Sequence, residues 1–183
     1  METQYFDCWH FAGNALRDGR PLPKKGDILT HVGEVVPCRS GYHGSARAID
    51  ALAYAPGALV ARVRLSGVVV EHGSPVDKLA ASVRENLTDY ADCTRVLHEF
   101  ACWCATQALD AEEKVGRAVD PRSRKAIEVK LLWLDGKATD AGRAAARAAA
   151  WDAAGDAAWA AAWDAARDAQ NAKLEEMLSS ILP

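Results

Sequence analysis

The chain lacks the marks of a membrane or secreted protein. None of its apolar runs reaches the roughly 18 residues that a membrane-spanning helix needs. Its first residues, Met-Glu-Thr-Gln-Tyr, are not a basic segment followed by an apolar one, which is the pattern of a secretory signal. These absences predict a cytoplasmic protein with no membrane partner.

An excess of positive charge is also missing. Lysine and arginine total 22 against 25 aspartates and glutamates, and the net charge is -3. A protein that binds nucleic acid through its phosphates normally has a basic surface. We therefore predict no general nucleic-acid binding.

The cysteines do not form a disulfide or metal-site pattern. There are five, an odd number, which argues against a disulfide framework and for a reducing compartment. Cys102 and Cys104 fall in a predicted helix, where positions two apart point about 200° apart. A zinc site would instead need Cys8 and His10 to lie beside Cys38 and His43 in the fold. Because these two pairs are an incomplete zinc-binding pattern, no metal site is predicted.

Familiar catalytic fingerprints are absent as well. The chain has no Gly-x-Ser-x-Gly elbow, no Walker A loop and no dinucleotide-binding glycine pattern. His72 is interpreted as part of an exposed loop. Asp77 and Lys78 are interpreted as a surface ion pair or, if they lie beside His43, as part of a polar cleft.

The residues that are present predict an α+β fold. Half of the 183 residues are apolar, enough for a core. Apolar residues alternate over 58–71, which indicates a half-buried strand, and helical spacing dominates after residue 90. We predict a small, mostly antiparallel sheet with short helices in a domain over 1–109. An all-α region with a long alanine-rich helix is predicted over 110–183.

The final helix is predicted over about 140–179 and has an unusual composition. Alanine makes up 19 of the 35 residues from 138 to 172, and alanine has the highest helix propensity. Trp151, Trp159 and Trp163 lie in one row of this helix. Since tryptophan is enriched in binding hot spots, we predict that the row is an interface with a host protein or a second copy. The alternative is that it packs on the protein's own core.

The stretch from Cys38 to Tyr54 is the most informative for function. Glycines there indicate a tight turn, and His43 and Ser45 lie where a predicted strand meets the N-terminus of a short helix. Backbone N–H groups at such a junction favour an anion, such as a phosphate or a carboxylate. The predicted ligand-binding residues are Cys38, Gly41, His43, Ser45 and Tyr54.

This stretch resembles an uncharacterised domain family that is common in bacteriophages, prophages and actinobacterial or proteobacterial genomes. The family shows Cys-x-x-Gly-[Phe/Tyr]-His-[Ala/Gly]-[Cys/Ser], followed by Ala-Leu-x-Tyr and a Val-x-Val/Leu-x-Gly strand. The chain matches it with Cys-Arg-Ser-Gly-Tyr-His-Gly-Ser at 38–45, Ala-Leu-Ala-Tyr at 51–54 and Val-Arg-Leu-Ser-Gly at 63–67. The resemblance implies a phage context, and hence the cytoplasm of a bacterial host.

His-Gly-Ser at 43–45 is also similar to the His-Gly-[Ser/Thr] of ADP-ribosyltransferase-like folds, in which the histidine contacts the NAD ribose. That second resemblance implies NAD as cofactor, with His43, Tyr54 and Glu71 as the catalytic residues. Without it, no cofactor is expected.

Taken together, the sequence predicts a small phage-type accessory binding protein. It would inhibit host defence by capturing a host protein or a nucleotide-like ligand. The alternative is an ADP-ribosyltransferase-like enzyme that uses NAD.

Overall fold

The structure, a computed structural model, describes residues 4–153 and 163–182. The predicted fold class is confirmed, since an antiparallel sheet in the N-terminal half is followed by several helices. The chain forms two compact units, Met1–Thr94 with Arg167–Pro183, and Arg95–Ala166. This division differs from the predicted boundary near residue 110, because the last part of the chain belongs to the first unit. We call the two the α+β unit and the helical unit.

The α+β unit is built on one antiparallel sheet. Its strands are β1 (Phe6–Ala12), β2 (Ile28–Thr30), β3 (Tyr42–Gly44), β4 (Leu59–His72), β5 (Lys78–Asn86) and β6 (Ala91–Asp92). The order is β1-β4-β5-β2, with β3 also on β5 and β6 on β4. Ser45 and Trp9 exchange backbone hydrogen bonds of 2.8 and 3.1 Å, which links the end of β3 back to β1. The sheet therefore curls toward a closed barrel.

The central strand follows the alternation seen in the sequence. The strand predicted over 58–71 is β4, and Ala61, Val63 and Leu65 on one of its faces are fully buried. The pairing with β5 shifts between Ser66 and Val69, where a bulge bends the strand. The short strand β2 pairs with β5 on the edge opposite β4, at Ile28–Glu85, Leu29–Arg84 and Thr30–Val83.

The C-terminal helix belongs to the α+β unit from Arg167 onward. Helix α5 (Trp163–Ser179) buries Leu174 and Leu178 completely. Its residues 167–175 contact the short helix α1 (Ala48–Ala53). Arg167 forms a 2.6 Å ion pair with the buried Asp50, so apolar packing and an ion pair together attach the helix.

The helical unit contains α2 (Thr94–Lys114), α3 (Pro121–Leu134) and α4 (Asp140–Ala153), with α2 starting one residue before it. Asp120 caps α3, since its side chain accepts a hydrogen bond from the Arg122 N–H. Trp133 joins α3 to α4, since its Nε1 donates to Asp140 at 2.9 Å and its ring lies against Arg143.

The predicted helix over 140–179 corresponds to α4 and α5. Trp159 and the side chains of Trp151 and Trp163 lie outside the described residues, so their predicted interface stays a prediction. Within 4–153 and 163–182, no helix combines the length and the apolar character needed to cross a membrane.

Candidate active site

Cys38 lies in a strained turn just before β3. Its φ is 67°, in the left-handed region that costs a residue with a side chain roughly 1–2 kcal/mol. The Cys38 N–H donates to His43 Nε2 at 3.1 Å, and Arg17 donates to the Cys38 carbonyl at 3.2 Å. The thiol is exposed. Strain of this kind concentrates at functional sites, and here it presents a sulfur to solvent.

The turn between β4 and β5 places the side chains of His72, Asp77 and Lys78 beside Cys38. His72 ends β4 and pairs with Lys78, the first residue of β5. The Asp77 N–H donates to the His72 carbonyl at 3.0 Å. Gly73 has φ of 92°, and a Cβ there would lie 2.6 Å from Asp77 Oδ1. Glycine at this position therefore leaves room for the Asp77 carboxylate beside the His72 ring.

Cys38, His72 and Asp77 form a continuous chain of contacts. Cys38 Sγ lies 3.7 Å from His72 Nε2, and His72 Nδ1 lies 3.2 Å from Asp77 Oδ1. A thiol, an imidazole and a carboxylate in this order make up an activated nucleophile: the imidazole takes the thiol proton and the carboxylate orients the imidazole. We call these three residues the Cys-His-Asp cluster.

Lys78 adds a positive charge to this cluster. Its side chain is buried, and Nζ lies 3.0 Å from Cys38 Sγ and 3.5 Å from the centre of the Tyr54 ring. A cation beside sulfur favours the thiolate, the nucleophilic form of cysteine. The Tyr54 hydroxyl donates to Asp77 Oδ2 at 2.7 Å, so Tyr54 fixes the second oxygen of the carboxylate.

These contacts shift the pKa values of Asp77 and Tyr54 from their ordinary values. Burial alone would raise the pKa of Asp77, but hydrogen bonds from Tyr54 and His72 outweigh it and lower that pKa. The hydrogen bond to Asp77 raises the pKa of Tyr54 to about 12. Asp77 is therefore an anion and Tyr54 a neutral donor at neutral pH.

His43 supports the turn as a neutral ring. Burial, followed by the charges of Lys78 and Arg84, lowers the pKa of His43 to about 4. A neutral His43 can accept the hydrogen bond from the Cys38 N–H. Its role is thus to position the backbone that carries the thiol.

The other four cysteines differ from Cys38. Cys8, Cys93 and Cys102 are buried and Cys104 is half-buried. Burial raises the pKa of each of these thiols, to about 11 for Cys8 and for Cys93. At neutral pH they are protonated and poor nucleophiles, whereas Cys38 lies in contact with a base and a cation.

Three of the five predicted ligand-binding residues meet at the cluster: Cys38, His43 and Tyr54. Gly41 and Ser45 do not. Gly41 has φ of 86°, and a Cβ there would lie 3.0 Å from the Ala81 carbonyl oxygen, so it is a packing position. Ser45 is buried, and its backbone closes the sheet against Trp9.

Glu71 does not join His43 and Tyr54, which corrects the catalytic set proposed from the ADP-ribosyltransferase resemblance. It pairs with Leu79, and neighbouring residues of a strand point to opposite faces. His72 points to the cluster, so Glu71 faces the other way and lines a separate groove with Phe6 and Val69. The carboxylate beside Tyr54 is that of Asp77.

The expected anion site at the start of the short helix is filled by the protein itself. Helix α1 begins at Ala48, whose N–H donates to Glu175 Oε1 at 3.1 Å. The next N–H, of Ile49, donates to Asn171 Oδ1 at 3.1 Å. Side chains of α5 thus take the place predicted for a ligand.

Sequence reasoning missed His72 as a member of the site. It was interpreted as part of an exposed loop; in the structure it is the last residue of β4, and its side chain is 38% exposed. A signal existed: Asp77 and Lys78 were predicted to join a polar cleft if they lay beside His43, and the charge of Lys78 does act on His43.

Among the described residues, no group of three or more histidine, cysteine, aspartate or glutamate side chains is arranged to hold a metal ion. Comparisons with protein-family models, curated protein sequences and solved structures find no match to this chain. The functional argument therefore depends on the geometry of the cluster.

Proposed function

We propose that the chain is a cysteine-dependent acyl-transfer enzyme or hydrolase in which Cys38 is the nucleophile. The observation that carries this proposal is the chain of contacts from Cys38 Sγ through His72 to Asp77, at 3.7 and 3.2 Å. The Sγ–Nε2 distance is longer than in a tight hydrogen bond, as is common for catalytic pairs without substrate.

The proposed reaction begins with proton transfer from the Cys38 thiol to His72 Nε2. The sulfur then attacks a carbonyl carbon, and the carbonyl π electrons move to oxygen as the S–C bond forms. Collapse of this intermediate expels the leaving group, which takes the proton from His72 and leaves an acyl thioester on Cys38. Water activated by His72 then hydrolyses the thioester and restores the thiol.

Each neighbour has a role in this scheme. Asp77 holds the His72 ring through Nδ1 and stabilises the imidazolium that forms. Lys78 stabilises negative charge at the sulfur. Tyr54 keeps Asp77 oriented. The substrate class is a small ester, thioester or activated amide that can reach an exposed thiol.

The test uses p-nitrophenyl acetate as the probe. We expect a burst of one p-nitrophenolate per chain and an acetyl group on Cys38, located by peptide mass spectrometry. His72→Gln should slow the burst about 10²-fold at pH 7, as the loss of a general base does, and Cys38→Ser should abolish it. Cys104 in the same sample is the internal control. Acetylation of Cys38 no faster than of free glutathione, or unaffected by His72→Gln, would overturn the proposal.

The accessory-protein role, with capture of a host protein or a nucleotide-like ligand, stays a prediction, as do the phage context and the bacterial cytoplasm. The NAD-dependent alternative keeps His43 and Tyr54, each in contact with a residue of the cluster, but loses Glu71. A thermal-shift titration with NAD tests it, since a bound ligand raises the unfolding temperature. No shift at millimolar NAD would remove it.

A further inference from the structure

The α+β unit contains a buried positive charge that the described residues leave without an acceptor. Arg84, on β5, is 2% exposed. Its Nε and Nη2 groups have no hydrogen-bond partner among residues 4–153 and 163–182. Burial lowers the pKa of Arg84, and the opposing contributions come from the Tyr90 and Tyr42 hydroxyls. A buried, unpaired charge is costly, and Arg84 is therefore a position where an anion would stabilise the fold.

We propose that Arg84 is the base of a binding site for a small oxyanion, a phosphate or a carboxylate group. Nε and Nη2 lie on the same edge of the guanidinium plane. This is the edge that donates two parallel hydrogen bonds to the two oxygens of a carboxylate or phosphate. The proposal is independent of the chemistry at Cys38.

The surroundings of Arg84 suit such a ligand. The Tyr42 ring lies 5.3 Å from the guanidinium carbon, and the Tyr42 hydroxyl lies 3.5 Å from Nη2 of the exposed Arg20. Since Arg20 donates to this oxygen, the hydroxyl keeps its own proton for a ligand. Arg20 also brings a second positive charge close enough to act on Arg84.

The neighbouring histidine adds no competing charge. His10 is held by the Tyr90 hydroxyl, 2.8 Å from its Nδ1. Burial, and then the charge of Arg84, lowers the pKa of His10 far below its ordinary value. His10 is therefore neutral and adds no positive charge of its own beside Arg84.

A second buried atom without a hydrogen-bond partner, Asn86 Oδ1, indicates which class of anion would bind. Asn86 is fully buried and its Oδ1 has no donor among the described residues. Asn86 lies two positions after Arg84 on β5, so both side chains point to the same face of the sheet. An anion that also carries a hydroxyl group would satisfy both residues. We therefore infer a phosphorylated alcohol or a hydroxy acid rather than a simple inorganic ion.

The test is a thermal-shift titration of the full chain with glycerol 1-phosphate, lactate, inorganic phosphate and acetate, each against sodium chloride at equal ionic strength. We expect a saturable rise of about 2–4 °C with at least one hydroxylated anion, and a smaller rise with the anion that lacks the hydroxyl. Arg84→Met should remove the response. Arg64→Met, which changes the net charge equally at a residue paired with Asp7, should retain it.

A second measurement does not depend on a variant. The Arg84 Nε–H resonance, assigned in ¹⁵N-labelled wild-type protein, should shift with the same saturation curve. No response to any of the four anions, as expected if ordered water fills the site, would overturn the proposal. So would an equal response in Arg84→Met, which would indicate non-specific ion binding.

Discussion

The two units of the molecule differ in whether their polar side chains are buried or exposed. Among the described residues, all seven buried polar or charged side chains belong to the α+β unit: Ser45, Asp50, Ser66, Lys78, Arg84, Asn86 and Thr88. In the helical unit α3 buries no residue at all, and ion pairs such as Arg124–Asp110 join exposed side chains. Buried polar groups are costly unless they are hydrogen-bonded. The comparison therefore favours the α+β unit as the location of the proposed site.

The largest difference in stability between the two units is expected when a leucine side chain is truncated in each. Leu174→Ala should lower the free energy of unfolding of the α+β unit by about 2–5 kcal/mol, the usual cost of emptying a buried leucine site, since Leu174 is 0% exposed. Leu131→Ala in α3, at a residue 41% exposed, is the matched control and should cost less than about 1 kcal/mol. Denaturant dependence of amide hydrogen exchange measures each unit separately. Equal losses would contradict the comparison.

The acid sensitivity of the α+β unit comes next. The pKa of His43 is about 4 in the folded protein and about 6.5 in an unfolded chain. The unfolded state therefore takes up the proton first, and stability is full above pH 6.5 and falls between pH 6.5 and 4. The loss is up to about 3 kcal/mol. His43→Gln should remove the share of this loss that His43 contributes and leave the share of the buried His10, whose pKa is also lowered. A variant that is as acid-sensitive as the wild type would show that His43 is solvated.

Removal of an ion pair should also destabilise the α+β unit more than the helical unit, but the two losses should differ less than those of the leucine substitutions. Asp50→Asn leaves Arg167 opposite a neutral group at a site where Asp50 is 5% exposed, and should cost about 1–3 kcal/mol, less than a fully buried pair because Arg167 is partly solvated. Asp135→Asn removes one of the two acidic partners of Arg95 in the helical unit, the other being Glu99, and the Arg95 and Asp135 side chains are both more than 40% exposed. It should cost less than about 1 kcal/mol. The order of the two losses, measured by urea unfolding, checks the prediction.

The smallest effect concerns salt. Arg124 pairs with Asp110 and Glu113 between α2 and α3. Arg124→Gln should cost about 0.5 kcal/mol at low salt and nothing measurable in 1 M sodium chloride, because exposed charges are screened. A salt-independent loss would mean that the Arg124 side chain acts through packing.

The sequence predicted those features that neighbouring residues determine, and it missed the contacts that depend on the pairing of distant strands. The period-two pattern of β4 identified a half-buried strand because burial acts on each residue in turn. The His43–Cys38 contact spans five residues and lay within one motif. His72 could not be assigned to the site, since its approach to Cys38 depends on β5 pairing with both β3 and β4. Arg84 was missed for the same reason, as nothing in the local sequence tells a buried arginine from an exposed one.

The C-terminal helix shows the same limit. Alanine content predicted that residues after 140 are helical, because propensity is local. The attachment of α5 to α1 joins residues more than 100 positions apart, through Arg167 to Asp50 and Glu175 to the Ala48 N–H. No periodicity within the helix encodes that partner. The predicted boundary near residue 110 groups residues 167–183 with the other helices, whereas the compact units group them with the sheet.

The most direct test of the central claim is the alkylation rate of each cysteine by iodoacetamide at pH 7, followed by peptide mass spectrometry. We predict that Cys38 reacts at least about tenfold faster than Cys104, since only the deprotonated thiol attacks. Lys78→Met and His72→Gln should each slow Cys38 without altering Cys104. If Cys38 reacts at the rate of an unfolded peptide thiol, and neither variant changes that rate, the Cys-His-Asp cluster is not an activated nucleophile.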